Sequence, residues 1–227
     1  DLERVLSEIA PDVVVNCIGV VKQRSDASDT AIQIEVNALF PHHLVTRVSR
    51  YGGRVVHVST DCVFSGSGGP YSEEDHPDPV DVYGRSKLLG ELCYPGAVTL
   101  RTSIVGPEID TRQGLLEWYL GEQGIVSGYA GAIFSGVPTV ELARIIDEYV
   151  LPDSKLSGVY HVASRPIDKA SLLELFKDAY EGAPEVRPVA EPQLNRALIM
   201  DRFTTETGYE PPEWPDLVAG MKGADRR

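Results

Sequence analysis

The chain has 227 residues, 42% of them apolar and 24% charged, with a net charge of −13 at pH 7. That is the composition of a soluble globular protein with room for a full core, and so acidic a surface repels phosphate backbones and anionic headgroups, which sets nucleic acid and membrane aside as expected partners. The three cysteines, Cys17, Cys62 and Cys93, form no Cys-x-x-Cys or Cys/His pattern, so neither zinc nor a disulfide framework is expected, and a reducing, cytoplasmic compartment fits best.

The acidic start Asp1-Leu2-Glu3 is unlike a signal peptide, and no apolar run reaches membrane-spanning length. Leu2, Val5, Leu6 and Ile9 keep helical spacing as far as Ala10, and Pro11 ends that helix. Asp12 to Gly19 is then a β-branched, apolar run of the kind buried on both faces of a parallel sheet, and Cys17 within it reads as a small core residue rather than a nucleophile. If nothing pairs with it upstream, this strand stands at a sheet edge with its backbone open, an aggregation liability.

Asp29 to Arg50 carries helical spacing at Ile32, Val36, Leu39, Leu44, Val45 and Val48 and stops at Gly52-Gly53. Pro41 falls inside it. Having no N–H to give the carbonyl of Asn37, it should kink the helix and open that oxygen to a water; a kinked helix with no further role fits the same residues. Arg54 to Ser59 is the next strand, with Ser59-Thr60-Asp61 at its carboxyl end, where open α/β sheets bind ligands. His57 in its interior reads as a hydrogen-bonded core histidine rather than a catalyst. Phe64 to Pro79 is a glycine- and proline-rich mobile loop, and its Gly-Ser-Gly-Gly opens onto no helix, so it is no phosphate cradle.

Tyr83-Gly84-Arg85-Ser86-Lys87 opens a helix expected to run to about Cys93. Tyr83 and Lys87, four residues apart, project from one face, so the ammonium should pull the phenol's pKa down from about 10 and make it a usable proton donor. A solvated helix face produces the same spacing; its weight comes from Ser59-Thr60-Asp61 upstream. Ala97 to Pro107 gives a third strand and its exit loop, and Leu115, Leu116, Trp118, Tyr119 and Leu120 mark a helix whose aromatics fit a core, with Trp118 also suited to line a substrate pocket. Val126 to Phe134 reads as a short, glycine-rich strand. Pro138-Thr139 opens a helix with an apolar stripe at Val140, Leu142, Ile145, Ile146 and Val150. Gly158 to Ala163 is a fourth sheet strand, Asp168 caps a helix to about Glu181 with Ile167 and Leu172 as a hydrophobic staple, and the proline-rich tail from Pro184 reads as a loop-rich lobe with helical pieces near Phe203 and Trp214.

This alternation predicts the α/β class: a partial Rossmann-type parallel sheet with helices on both faces, built from right-handed βαβ units, plus a small C-terminal substrate lobe. Residues 1–110 and 138–164 are assigned to the sheet domain, and 111–137 and 165–227 to the lobe. Aligned strand ends would bring Ile18-Gly19, Thr60-Asp61, the Tyr83/Lys87 helix and Val105-Gly106 to one crevice. There the Thr60 hydroxyl and the Tyr83 phenol would grip a carbonyl oxygen, on which negative charge builds during reduction by hydride. Lys87 would bond a ribose hydroxyl, and Asn37 would complete a water relay to it.

Asn16 to Gly19, the helix around Val36-Asn37-Ala38, Ser59 to Phe64, Tyr83 to Lys87 and Arg101-Thr102-Ser103-Ile104-Val105-Gly106 resemble the extended short-chain dehydrogenase/reductase superfamily, and most nearly its dTDP-4-dehydrorhamnose reductase branch with related sugar-nucleotide epimerase/reductases. The Arg202-Phe203 to Gly208-Tyr209 segment and Trp214 resemble that branch's C-terminal end, so the resemblance covers nearly the whole chain. It implies NADP or NAD as cofactor and reduction of the 4-keto group of a nucleotide-activated 6-deoxy sugar. Tyr83 is then the acid, Lys87 its helper, Thr60 the carbonyl donor and Asn37 the relay. Cys17, Ile18, Gly19, Ser59, Tyr83 and Lys87 go to the cofactor and Asp61, Val105, Gly106 and Trp118 to the sugar, with no metal; a homodimer is an open option. The branch is also similar to the regulatory subunit of methionine adenosyltransferase, so a non-catalytic binding module and an inactive truncation stand as alternatives; the intact Thr60, Tyr83 and Lys87 set favours the enzyme. The family's GxxGxxG turn, which lets backbone approach a pyrophosphate, is not in this sequence, so the chain by itself is expected to bind NAD(P)H weakly or not at all.

Overall fold

The computed structural model describes residues 2–21, 29–109 and 112–225. Its first half runs α1 (Leu2–Ile9), β1 (Val13–Asn16), α2 (Thr30–Gln33), a π-helix (Ile34–Leu39), α3 (Phe40–Val48), β2 (Arg54–Val58), α4 (Val82–Leu89) and β3 (Ala97–Arg101). There follow β4 (Ile104–Val105), α5 (Leu115–Gly121), β5 (Ile125–Tyr129), β6 (Ala132–Phe134), β7 (Val137–Pro138), α6 (Thr139–Ile145) and β8 (Gly158–His161). The chain closes with β9 (Ile167–Asp168), α7 (Lys169–Ala179), β10 (Glu185–Val189), β11 (Leu194–Asn195), α8 (Asp201–Thr207) and α9 (Trp214–Ala224). Two compact units result, one from Asp1–Ser65, Glu73–Arg101 and Val150–His161, the other from Gly66–Ser72, Thr102–Tyr149 and Val162–Arg227.

The first unit is the predicted parallel sheet, in the order β1-β2-β3-β8, with every neighbouring pair parallel. β3 is buried along its whole length, as a central strand with helices on both faces must be. Leu6 of α1 and Leu44, Val45 and Val48 of α3 pack with Val55, Leu92 and Ala97, each leucine or valine side chain contributing roughly 1.5–3 kcal/mol on burial. β1 is an edge strand, and its Val15 remains 40% exposed. The strand also ends earlier than its apolar run: Asn16 Oδ1 accepts the N–H of Ile18, which turns the chain out of the sheet. Cys17 is therefore exposed, not the core residue its apolar neighbours suggested.

Pro41 does not simply kink its helix. The turns before it widen into the π-helix, in which the N–H of Phe40 bonds Glu35 O, five residues back. A wider turn absorbs a residue that has no N–H to donate, and the Asn37 carbonyl lies against Gly90.

In the second unit β4 pairs with β7, β5 with β10, and β6 with β9 and β11. Tyr119, Leu172, Leu173, Phe176, Trp214 and Met221 are among the residues of its core. Asp168 caps α7 as its position predicts, accepting the Ser171 N–H at 2.9 Å. The tail is more ordered than its prolines suggest. β10 forms despite Pro188, as an edge strand allows, and Trp214 fixes α9 by donating from Nε1 to Arg165 O at 2.7 Å.

Candidate active site

Two local devices assemble the site at the carboxyl end of β2. Thr60 is extended and caps the short turn Asp61–Val63, its Oγ1 accepting the Cys62 N–H at 3.1 Å. Asp81 caps α4 by accepting the Gly84 N–H at 2.8 Å, which puts Tyr83 in the first turn and Lys87 one turn later. Gly84 has no side chain because a Cβ there would run into the Cys62 carbonyl. The bare backbone lets α4 settle on the Thr60 turn, and the Thr60 hydroxyl hydrogen-bonds the Tyr83 phenol. Two hydroxyls so joined can meet one carbonyl oxygen, one of them as a proton donor.

Lys87 is only 4% exposed, and its ammonium does not serve the phenol in the way the spacing suggests. Its Nζ donates to Val58 O at 2.8 Å and lies 3.5 Å from His57 Nε2. Burial pushes the Tyr83 phenol well above its ordinary value; the Thr60 hydrogen bond opposes this, and Cys62, Asp61 and Asp81 add to it. The expectation that Lys87 holds this pKa down is corrected: residues four apart share a face, but the lysine's head turns to the end of β2. Burial lowers Lys87 itself to about 8, against the opposing pull of Glu91 and Cys17. His57 is fully buried and held neutral, its pKa pushed down to about 3 by burial, then by Lys87 and His42.

Asn37 is a clamp. Its Oδ1 accepts the Val20 N–H at 2.8 Å while its Nδ2 donates to Val20 O at 3.0 Å and to Ser86 Oγ at 3.1 Å, and Ser86 in turn donates to Tyr83 O. The amide thus ties the segment after β1 to the helix that carries Tyr83. Gly19 sits beside this clamp, where a Cβ would stand 3.3 Å from Asn37 Oδ1 and 4.0 Å from Lys87 Nζ. Of the other residues expected at a cofactor, Cys17 and Ile18 are exposed, while Ser59 is 5% exposed and donates its hydroxyl to Glu91 Oε1 at 2.8 Å.

Glu91 and Arg101 form a buried, two-pronged ion pair at 2.9 and 2.8 Å, with Arg101 also 5.3 Å from the Phe64 ring centre. Together with Ser59 the pair anchors the chain just before Thr60. Sequence reading missed this support, although an arginine at the end of an apolar central strand signals a required partner. Asp61 accepts from Thr60 Oγ1 at 3.3 Å. Val105, Gly106 and Trp118, expected at the sugar, belong to the second unit: Val105 is buried in β4, Gly106 is half-buried and Trp118 is 39% exposed on α5. A cleft of about 540 Å³ in that unit is lined by Pro107, Glu108, Ile109, Thr139, Val140 and Met221, among others. Among the described residues no helix is long and apolar enough to cross a membrane, and no three His, Cys, Asp or Glu side chains group as a metal site.

A parallel sheet with a threonine–tyrosine pair at its strand ends, and a buried lysine one turn along the tyrosine's helix, defines a Rossmann-type α/β protein. The profile described as the RmlD substrate binding domain matches residues 1–111. A probable low-salt glycan biosynthesis reductase, Agl14 of Haloferax volcanii, is 32% identical across 99% of this chain and 82% of its own length. The dTDP-4-dehydrorhamnose reductase of Mycobacterium tuberculosis H37Rv is 31% identical across 82% of this chain and 65% of its own length, so the chain spans less than two thirds of that relative. Methionine adenosyltransferase 2 subunit beta of Danio rerio is 31% identical across 71% of this chain and 53% of its own length. The crystal structure of dTDP-4-dehydrorhamnose reductase from Bacillus anthracis in complex with NADP superposes with a TM-score of 0.84 at 20% identity, covering 97% of this chain and 83% of that one. The chain belongs to the dTDP-4-dehydrorhamnose reductase family.

Proposed function

We propose that the protein is a cytoplasmic, NAD(P)H-dependent reductase that converts the 4-keto group of a nucleotide-activated 6-deoxy sugar to an alcohol. The observation that carries this reading is the hydrogen bond between the Thr60 hydroxyl and the Tyr83 phenol with buried Lys87 one helical turn away. Thr60 and Tyr83 hold the sugar's carbonyl oxygen, and Tyr83 gives it a proton as charge develops there. Lys87, a cation below its pKa of about 8, faces the same strand end. Asn37 acts through position, by fixing Val20 and Ser86 and hence the start of α4.

The residues present fit the nicotinamide side of a dinucleotide. Gly19, where a Cβ would crowd Asn37 Oδ1, keeps the backbone bare beside Lys87, and Cys17 and Ile18 are exposed at the end of β1, in the crevice where such sheets take nucleotides. When bound, that group supplies the hydride. We assign the sheet-bearing unit to the nucleotide and the second unit, with Val105, Gly106 and Trp118, to the sugar. Free cysteines suit a reducing compartment.

The likeness to a methionine adenosyltransferase subunit favours a second reading, a regulatory subunit without chemistry of its own. Incubation with saturating NADPH and a dTDP-4-keto-6-deoxy sugar decides between them. The reductase reading expects loss of nicotinamide absorbance matched by formation of the sugar alcohol; no conversion of any nucleotide-activated 4-keto sugar overturns it.

A further inference from the structure

Lys87 has a neighbour that the scheme above leaves unused. Asn16 Oδ1 accepts the Ile18 N–H at 3.1 Å, which fixes the amide so that its NH2 faces His57 Nδ1 at 3.0 Å. An NH2 group only donates, so Nδ1 accepts and the single proton of the neutral ring lies on Nε2. That N–H points at Lys87 Nζ, 3.5 Å away. An ammonium has no lone pair to receive it, whereas a free amine has one and still keeps a hydrogen for Val58 O. Of the two forms of Lys87, the amine alone satisfies both neighbours.

We propose that His57, locked in one tautomer by Asn16, is a positioning residue that presents a donor to Lys87 and so keeps that lysine exchanging between ammonium and amine. The other titratable groups acting on Lys87 are Glu91 on its own helix and Cys17 beyond β1, both favouring the ammonium; those acting on His57 are Lys87 and His42 of α3. The consequence rests on the reductase reading. Once Tyr83 has passed its proton to the substrate oxygen, the crevice must regain one from solvent, and a lysine that exchanges readily at the same strand end eases that return.

The test is a pH titration of the Lys87 side-chain resonance in protein with lysine labelled at the ε-carbon, the signal being assigned by its loss in Lys87→Arg. His57→Gln offers Lys87 an amide oxygen, and Asn16→Leu lets His57 move its proton to Nδ1. In each, the midpoint should rise from about 8 by about one unit, a tenfold gain in proton affinity, and the alkaline limb of the pH–rate profile should rise with it. An unchanged midpoint in folded forms of both variants overturns the inference. The titration needs no turnover, so an inactive protein would contradict the reductase reading while leaving this one decided by the resonance.

Discussion

Tyr83 and Thr60 meet because each is held at a helix start, Thr60 as the cap of its turn and Tyr83 two residues past the cap Asp81. Sequence reading could name these residues, since hydroxyl, phenol and amine types at such places suit carbonyl chemistry. It could not say where Lys87 points, because spacing fixes a face and not a rotamer. The lysine's choice of Val58 O and His57 ties the site to the protein's pH response. His57 falls from its ordinary 6.5 to about 3 on folding, so the neutral ring stabilises the fold above 6.5 and that contribution drains away as pH drops toward 3, at up to about 1.4 kcal/mol per unit. Lys87 works at the other end, its burial cost being relieved as pH rises from about 8 to 10.5. Thermal melts should therefore show a steeper loss of stability between neutral and acid pH in the wild type than in His57→Gln; equal slopes would contradict the buried, neutral histidine.

The helix α4 is placed by what it lacks. A Cβ on Gly84 would strike the Cys62 carbonyl and one on Gly90 the Asn37 carbonyl, so two glycines let the helix lie against the Thr60 turn and the π-helix. Glycine to alanine within a helix usually stabilises by about 1 kcal/mol, but Gly84→Ala should destabilise by roughly 1–3 kcal/mol, since backbone cannot yield as a side chain does. It should also lower turnover through displacement of Tyr83. Urea unfolding gives the sign directly, and a stabilised Gly84→Ala protein would refute this packing. The helix itself was legible in its residues, and so was the disturbance at Pro41. The π-helical form was not, because the carbonyl's neighbour, Gly90, lies far along the chain.

For the whole molecule, period and punctuation carried the sheet: β-branched runs between helical stripes gave β1, β2, β3 and β8 and their parallel pairing. The second unit was harder to read, since β10 and β11 are short edge segments whose prolines mask them and whose partners lie distant in sequence. The sequence holds no GxxGxxG turn, and such turns allow backbone amides to reach a pyrophosphate. A fluorescence titration of NADPH against the 227-residue chain should accordingly give weaker than micromolar affinity; a micromolar Kd would show that other residues hold the phosphates. The central claim concerns the other end of the cofactor, where Tyr83 delivers a proton. The direct measurement is turnover of a dTDP-4-keto-6-deoxy sugar at saturating NADPH by the wild type and by Tyr83→Phe, with circular dichroism confirming the fold. Loss of general-acid catalysis predicts a fall in kcat of roughly 10²–10⁴-fold; a folded Tyr83→Phe protein that turns over at the wild-type rate would contradict the account.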